Sequence, residues 1–250
     1  MKILAIKTHK ITSGRKNLIE IIDRYIKKPS EGSVLAITSK IVSICEGNMM
    51  TIAGNDKQKL IEQEADLYIP ARKSKYQISL AIKNGLLVPM AGIDESNANG
   101  FYILWPRAGQ KTANLVREHF TKKFKLKKFG VIITDSKTTP LRYGTTGMAL
   151  SHSGFSALHN YIGQPDIFGR KLEITKANIS DGLSASAVLC MGEGREQTPL
   201  ALISDIPFVK FQKRNPTSSE LKTLAISIEK DLYAPLLKSA PWKPGNGRKN

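Results

Sequence analysis

The feature that most constrains this chain is a set of short apolar runs that empty into polar turns. Ser33-Val34-Leu35-Ala36-Ile37-Thr38 leads straight into Ser39-Lys40-Ile41-Val42-Ser43, and Gly130-Val131-Ile132-Ile133-Thr134 leads into Asp135-Ser136. Apolar runs this short, without polar alternation, predict strands buried within a sheet. Ligands tend to meet such sheets where the strands end. Segments with helical spacing lie between the strands, so the expected fold class is α+β, mixed sheets with flanking helices.

Along the chain, residues 3–6 predict a first strand, followed by a polar loop through Gly14. Leu18, Ile21, Ile22, Tyr25 and Ile26 then mark a helix that Pro29 and Gly32 end. Residues 57–67 read as a polar helical segment. A strand pair is expected over 86–89 and 101–105, bracketing the loop 91–97. An amphipathic helix over 110–123 carries Ala113, Leu115, Val116, His119 and Phe120 near one face. Residues 137–147, rich in Thr, Pro and Gly, predict an ordered loop. A helix over 178–191, a strand over 200–203 and a final amphipathic helix over 218–233 complete the pattern. Pro241, Pro244, Gly245 and Gly247 predict a frayed tail over 236–250. No internal repeat or linker divides the 250 residues, a length that suits one large or two small domains.

Charge narrows the partners. Thirty-eight Lys and Arg against 21 Asp and Glu give a formal +17, which favours anions such as nucleotides, phosphates, polycarboxylates or nucleic acid. Much of the excess falls in residues 117–128, which read as a solvated lysine-rich face because no readout groups interleave it. Nucleic acid is therefore not the expected partner. Two cysteines, Cys45 and Cys190, can build neither a disulfide framework nor a four-sulfur metal site, which points to reducing cytoplasm. The opening apolar run is too short for a signal peptide, and no stretch reaches the roughly 18 to 20 apolar residues of a membrane span.

Two acidic turns follow apolar strands: Asp94-Glu95 and Asp135-Ser136. Their hard oxygens suit Mg²⁺ or Mn²⁺, and the same residues could instead cap loops as Asx-turns. Gly192-Glu193-Gly194-Arg195-Glu196 is a third acidic turn, with Glu196 a weaker candidate. Arg142 could clamp a phosphate or carboxylate, or brace its own loop through a salt bridge. His9, His119 and His159 read as structural or solvated, whereas His152, close to the Arg142 loop, is a candidate for lining a site. No Gly-x-Ser-x-Gly elbow and no Gly-rich phosphate loop is present.

Four ordered blocks carry a resemblance that spans nearly the whole chain: Ala91-Gly92-Ile93-Asp94-Glu95-Ser96-Asn97; Ile133-Thr134-Asp135-Ser136 with Pro140 and Arg142; Gly163 through Asp166-Ile167-Phe168-Gly169-Arg170; and Glu196 with Pro199. Together they resemble the γ-glutamyl ligases of coenzyme F420 biosynthesis. Tyr102-Ile103-Leu104-Trp105-Pro106 and Asp231-Leu232-Tyr233-Ala234-Pro235-Leu236-Leu237 are similar to a branch associated with folate metabolism.

The resemblance implies a dimeric enzyme that uses GTP or ATP with Mg²⁺ or Mn²⁺, and K⁺ as a further ion, on a ligase domain of its own α+β type over residues 1–235. It implies metal positions at Asp94, Asp135 and Ser136. Nucleotide contacts are implied at Thr8, His9, Lys10, Ile11, Ser39, Lys40 and Asn97. Asp94, Asp135 and Arg142 are the expected catalytic residues. One departure stands out: Ile44 precedes Cys45-Glu46-Gly47 where the F420 enzymes commonly carry lysine, and Lys40 is the candidate replacement charge.

The expected reaction joins L-glutamate to a glutamate- or lactate-bearing acid through an acyl phosphate, with folate as the first acceptor and coenzyme F420-0 as the alternative. A non-catalytic RNA-binding protein is the reading from a different class.

Overall fold

β-Branched and leucine-rich runs become strands here because helices cover them on both faces. The computed structural model of the chain describes residues 1–12 and 16–247, so Gly14 of the expected N-terminal loop lies outside it. The chain opens with β1 (Lys2–Ile6) and α1 (Leu18–Tyr25), whose first turn is capped by the Asn17 side chain accepting from the Ile19 N–H. β2 (Ser33–Thr38) runs without a break into α2 (Ser39–Glu46), which Gly47 ends in the left-handed region. Next come β3 (Met49–Thr51), α3 (Lys57–Glu64), β4 (Leu67–Ile69), β5 (Leu80–Lys83), β6 (Leu86–Pro89) and β7 (Phe101–Ile103). The long helix α4 (Gly109–Phe124) precedes the hairpin β8 (Phe129–Thr138) and β9 (Thr145–Ser153). After β10 (Leu158–Asn160) and β11 (Lys176–Asn178), α5 (Ile179–Met191) leads to β12 (Leu200–Ser204). The end comprises α6 (Ser218–Lys222), α7 (Ala234–Ser239) and β13 (Lys243–Pro244).

The main sheet has the order β1-β12-β2-β8-β9, with β2 and β8 parallel and the other pairs antiparallel. Alternation sends Leu35, Ile37, Val131 and Ile133 into a core with Ile22, Val42, Val116 and Phe120 from α1, α2 and α4. Val34, Ala36 and Ile132 point the other way, into a core with Leu183, Ala187 and Met191 of α5. Each fully buried side chain of this size contributes about 1.5–3 kcal/mol. A second sheet, β13-β4-β5-β6, and the β3-β7 pair share a smaller core with Leu60, Ile61, Ile93 and Leu104. Among the described residues, no helix is long and apolar enough to cross a membrane.

Several expected boundaries move, each for a physical reason. Residues 39–43 are not a turn: Ile41, Val42 and Ile44 bury one side of α2, so the chain coils at once. The expected loop over 137–147 shrinks to 139–144, because β9 supplies a partner for β8 as far as Thr138 opposite Thr145. The expected pair over 86–89 and 101–105 does not form: β6 bonds to β5, and β7 to β3. The helix over 218–233 stops at Lys222, since no residue across that span is buried and no apolar face supports a longer helix. The tail is tied down through Gly247: β13 pairs with β4, and the Gly245, Asn246 and Gly247 N–H groups donate to the carbonyls of Asp66, Glu62 and Ala65.

Candidate functional site

Strand register brings four separate segments to one sheet edge. Ile6 lies beside Leu200, Leu200 beside Ile37, and Ile37 beside Ile133. Beyond that row come Thr8–Thr12, the N-terminus of α2, Asp135-Ser136, and the turn that feeds β12. The Thr8 N–H donates to the Gln197 carbonyl at 2.9 Å and the Thr38 N–H to that of Pro199 at 3.0 Å, closing the edge from one side. The result is an open cleft of about 580 Å³. Its walls include His9, Lys10, Lys40, Asp94, Asn97 and Asp135.

Asp135 and Ser136 lie within β8, not in the acidic turn the sequence suggested. Being consecutive on a strand, their side chains go to opposite faces. Asp135 turns toward the α2 side, where its Oδ2 accepts from the Trp105 indole N–H and its Oδ1 from the Ser136 backbone N–H at 2.9 Å. Ser136 turns toward the end of α5, where its hydroxyl donates to Glu193 Oε2 at 3.3 Å. A register shift between Ile133 and Thr134 bends the hairpin just before these two residues.

Asp94 reaches the same cleft from the 93–99 turn. Its backbone exchanges hydrogen bonds with Ile103 at 2.8 and 2.9 Å, while Oδ1 accepts from the Ser96 N–H at 2.6 Å as in an Asx-turn. Lys40 Nζ pairs with Asp94 Oδ2 at 2.6 Å and also donates to the Ser96 carbonyl at 2.7 Å. Burial pushes the Asp94 carboxyl up, but the hydrogen bond and charge of Lys40 outweigh it and hold the group below the usual carboxylate range. Asp135 goes the other way. Burial raises its pKa to about 6, the Asp94 charge adds to the rise, and the hydrogen bonds from Ser136 and Trp105 oppose it. Two carboxylates thus feel one another across the cleft, one ion-paired and the other, among the described residues, without a cation on its own oxygens.

The remaining expected residues divide. Thr8, His9, Lys10 and Ile11 line the cleft. The Tyr25 hydroxyl accepts from the His9 N–H at 2.7 Å and lies 2.6 Å from its Nδ1, so the hydroxyl can donate to Nδ1 and leave Nε2 as the N–H side of the ring. Asn97, in the left-handed region with φ of 55°, donates to the Gly194 carbonyl at 2.9 Å and ties the Asp94 turn to the third acidic turn. Glu196 lines the cleft and accepts from the Gly194 N–H at 2.8 Å. Ser39 is buried behind the cleft wall, and Glu95 pairs with Lys57 outside it. Ile44 does face the cleft, one helical turn beyond Lys40.

Arg142 and His152 are not brought to the cleft. Arg142 sits at the exposed tip of the β8–β9 hairpin, and among the described residues it forms no bracing salt bridge. His152 lies on β9 and is buried against Phe155, beside a small cavity with Gln212 and Glu220. Burial, opposed by the Glu220 charge, pushes its pKa down to about 4.

Sequence reasoning missed two cleft contacts. The third acidic turn was visible, but nothing local distinguished Glu193, which meets Ser136 across 57 positions. Trp105 carried no signal that its indole would reach Asp135.

Comparison with known proteins gives the family. The chain matches the F420-0:Gamma-glutamyl ligase family over residues 5–205, a stretch that contains every segment of the cleft wall. The coenzyme F420:L-glutamate ligase of Methanococcus maripaludis is 29% identical over 223 residues, covering 83% of this chain and 89% of the relative. The ligase of the same name from Methanocaldococcus jannaschii is 29% identical over 214 residues, 77% of this chain and 83% of the relative. That of Methanopyrus kandleri is 32% identical over 190 residues, 69% and 74% respectively.

Proposed function

The chain belongs to the F420-0:gamma-glutamyl ligase family and is a ligase, and from that premise we propose that it joins the amino group of L-glutamate to the carboxylate of an F420-0-type acceptor at the expense of a nucleoside triphosphate. The observation that carries the reading is the convergence of Asp94, Asp135, Lys40, His9 and Lys10 on one open cleft. Folate, the first acceptor expected from sequence, has less behind it, since the similar ligases are named for coenzyme F420. Family membership also sets aside an RNA-binding protein without catalysis.

The residues fit a divalent cation. Asp135 is a half-buried carboxylate with a raised pKa and, among the described residues, no cation on its own oxygens, and Asp94 stands close enough to perturb it. Ser136 and Glu193 offer oxygens on the other face of β8, a second position for a cation. Among the described residues no three His, Cys, Asp or Glu form a closed metal cluster. The pair Asp94 and Asp135 suits Mg²⁺ or Mn²⁺, which bind through one or two carboxylates and leave sites for phosphate oxygens and water. Bound there, the ion would neutralise phosphate charge during transfer.

The chain's own groups do the rest. The α2 N-terminus and Lys40 direct positive potential at phosphate oxygens, and Lys40 is anchored to Asp94 and Ser96 so that its ammonium stays in place. His9 offers Nε2–H as a donor. The acceptor carboxylate takes the γ-phosphoryl group, releasing nucleoside diphosphate. The glutamate amine then attacks the acyl carbon, phosphate leaves with the C–O bond pair, and the amine proton goes to solvent or phosphate. Ile44 removes a charge from the cleft relative to the F420 enzymes' usual lysine, so the nucleotide base and acceptor are tested together.

The chain also acts as a homodimer in this reading, because Leu141 and Tyr143 at one hairpin tip and Ile167 and Phe168 on another arm are almost fully exposed. The test of function is incubation with GTP or ATP, Mg²⁺ or Mn²⁺, glutamate and either F420-0 or a folate, with mass spectrometry for added glutamyl units. A glutamyl adduct of F420-0 is expected. An adduct on folate alone would move the acceptor, and no adduct on either would overturn the reading.

A further inference from the structure

Trp105 touches both acidic segments of the cleft. Its indole N–H donates to Asp135 Oδ2. The same ring lies against Gly92, two residues before Asp94, so closely that a Cβ there would fall 2.2 Å from Trp105 Cε2. Gly92 has a φ of +72°, so the position excludes a side chain on both conformational and steric grounds.

The ring is itself held on every side. Val88 of β6 and Met148 of β9 pack with it, and Met148 is the residue directly opposite Asp135 in the hairpin. Lys83 Nζ stands 5.3 Å from the ring centroid and is paired with Glu64 at 2.6 Å. The Trp105 carbonyl accepts from the buried Asn48 side chain at 2.6 Å. Only 5% of the tryptophan is exposed. An indole this confined has one rotamer, and its single donor has one acceptor.

We propose that Trp105 is the positioning residue of the cation site, setting the Asp135 carboxylate and bracing the Asp94 turn through Gly92 so that the two carboxylates are presented as one rigid pair. Asp135 is fixed from both ends, Oδ1 by the Ser136 N–H and Oδ2 by the indole, which leaves the remaining lone pair on each oxygen directed by the protein and not by the ion. A ligand already oriented loses less freedom on binding the cation. The inference rests on the metal reading above, and the two can fail separately.

The chain has two tryptophans, so Trp242→Phe leaves Trp105 as the sole indole. Trp242 bonds the Leu237 carbonyl in the tail, outside the cleft. In this variant Mn²⁺ should quench tryptophan fluorescence saturably. The indole ¹H–¹⁵N resonance should shift with Mg²⁺, and should move when Asp135→Asn is added. Trp105→Phe keeps an aromatic ring and removes both the donor and the pyrrole atoms that meet Gly92. Its Mn²⁺ affinity, read by electron paramagnetic resonance of the free ion, should fall about 10-fold, the usual scale for an outer hydrogen bond to a ligand. Wild-type Mn²⁺ affinity in a folded Trp105→Phe protein would overturn the positioning role while leaving the metal site standing. If Trp105→Phe does not fold, the indole resonance decides, and one that ignores both Asp135→Asn and Mg²⁺ overturns the proposal. Equal Mn²⁺ affinity in wild type and Asp135→Asn would instead remove the metal reading itself, and the proposal with it.

Discussion

The root and the tip of the β8–β9 hairpin are one continuous stretch of chain with opposite fates. At the root, Val131, Ile132 and Ile133 are wholly buried between α4 on one side and α5 on the other. Ten residues on, Leu141 and Tyr143 are as exposed as side chains can be. Both stretches are apolar enough to enter a core, but the β8–β9 ladder stops at Thr138 opposite Thr145, so the tip lies beyond the pairing. Helices cover both faces of the root, and Leu141 and Tyr143 are left uncovered. Asp135 sits at the boundary, still inside the packed layers but already at the cleft, and that position is what makes its charge costly.

The largest effect should come from that boundary. Asp135→Asn is expected to lower turnover about 100-fold or more, on the scale of losing one electrostatic group at a reaction centre, and to stabilise the cation-free protein. The sign follows from the raised pKa: folding penalises the charged carboxylate, so stability from this group is full below its ordinary pKa of 3.8 and is lost as pH rises through about 6. At roughly 1.4 kcal/mol per unit the ceiling is about 3 kcal/mol. Melting in EDTA should show a higher Tm for the variant at pH 7.5 and no difference near pH 3.5. A variant with full turnover, or one destabilised at neutral pH, would mean that Asp135 is an ordinary strand carboxylate.

The root should also be intolerant of bulk where the tip is not. Gly147, opposite Ser136, meets α5 so closely that a Cβ would lie 2.4 Å from the Ser184 carbonyl oxygen and 2.7 Å from its carbon. Helix backbone cannot yield cheaply, so Gly147→Ala should cost about 2–3 kcal/mol, in the range of overpacked cores. Leu141→Ser at the tip should change Tm by no more than about 0.5 kcal/mol equivalent at protein concentrations low enough to separate a dimer. Equal losses at the two positions would erase the distinction.

His152, at the far end of β9, should oppose Asp135 in the same pH range. Its folded pKa of about 4 lies below the ordinary 6.5, so its contribution is present above pH 6.5 and is lost as pH falls toward 4. His152→Gln should flatten the acid limb of the stability curve, measured by urea melts at several pH values. An unchanged limb would show that the ring is not buried as neutral imidazole. A smaller effect is expected at the tip: Leu141→Ser with Tyr143→Ser should weaken self-association in sedimentation, with kcat of the dissociated chain as the check on whether the hairpin serves catalysis. Smallest of all, KM for nucleotide should rise a few-fold from low to high ionic strength as the +17 charge is screened over about 8–10 Å. A flat KM would leave the lysine-rich surface without a role in substrate capture.

Much of the fold was legible without coordinates. The continuous apolar runs of β2 and β8 could only be buried strands, and the 3.6-residue spacing of α4 and α5 could only be helices packed on them, because local chain geometry decides both. Asp94 and Asp135 stood out for the same reason, each following an apolar strand. The four blocks of family residues were equally visible, and the match over residues 5–205 agrees with them.

What lay beyond the sequence was every feature decided by a distant neighbour. Ser136 and Glu193 are 57 positions apart, Lys40 and Ser96 are 56, and Trp105 and Asp135 are 30. Arg142 looked like a site residue for its guanidinium and its place in a family block, and His152 for its closeness to the Arg142 loop, yet the hairpin carries one outward and the other into a different layer. The extension of β8 past Asp135 needed β9 as a partner, and the ordered tail needed the free edge of β4. Local spacing determines which residues form strands, helices and turns; which of them share a cleft is decided by strand order and register, because these set what lies across a few ångströms of space regardless of separation along the chain.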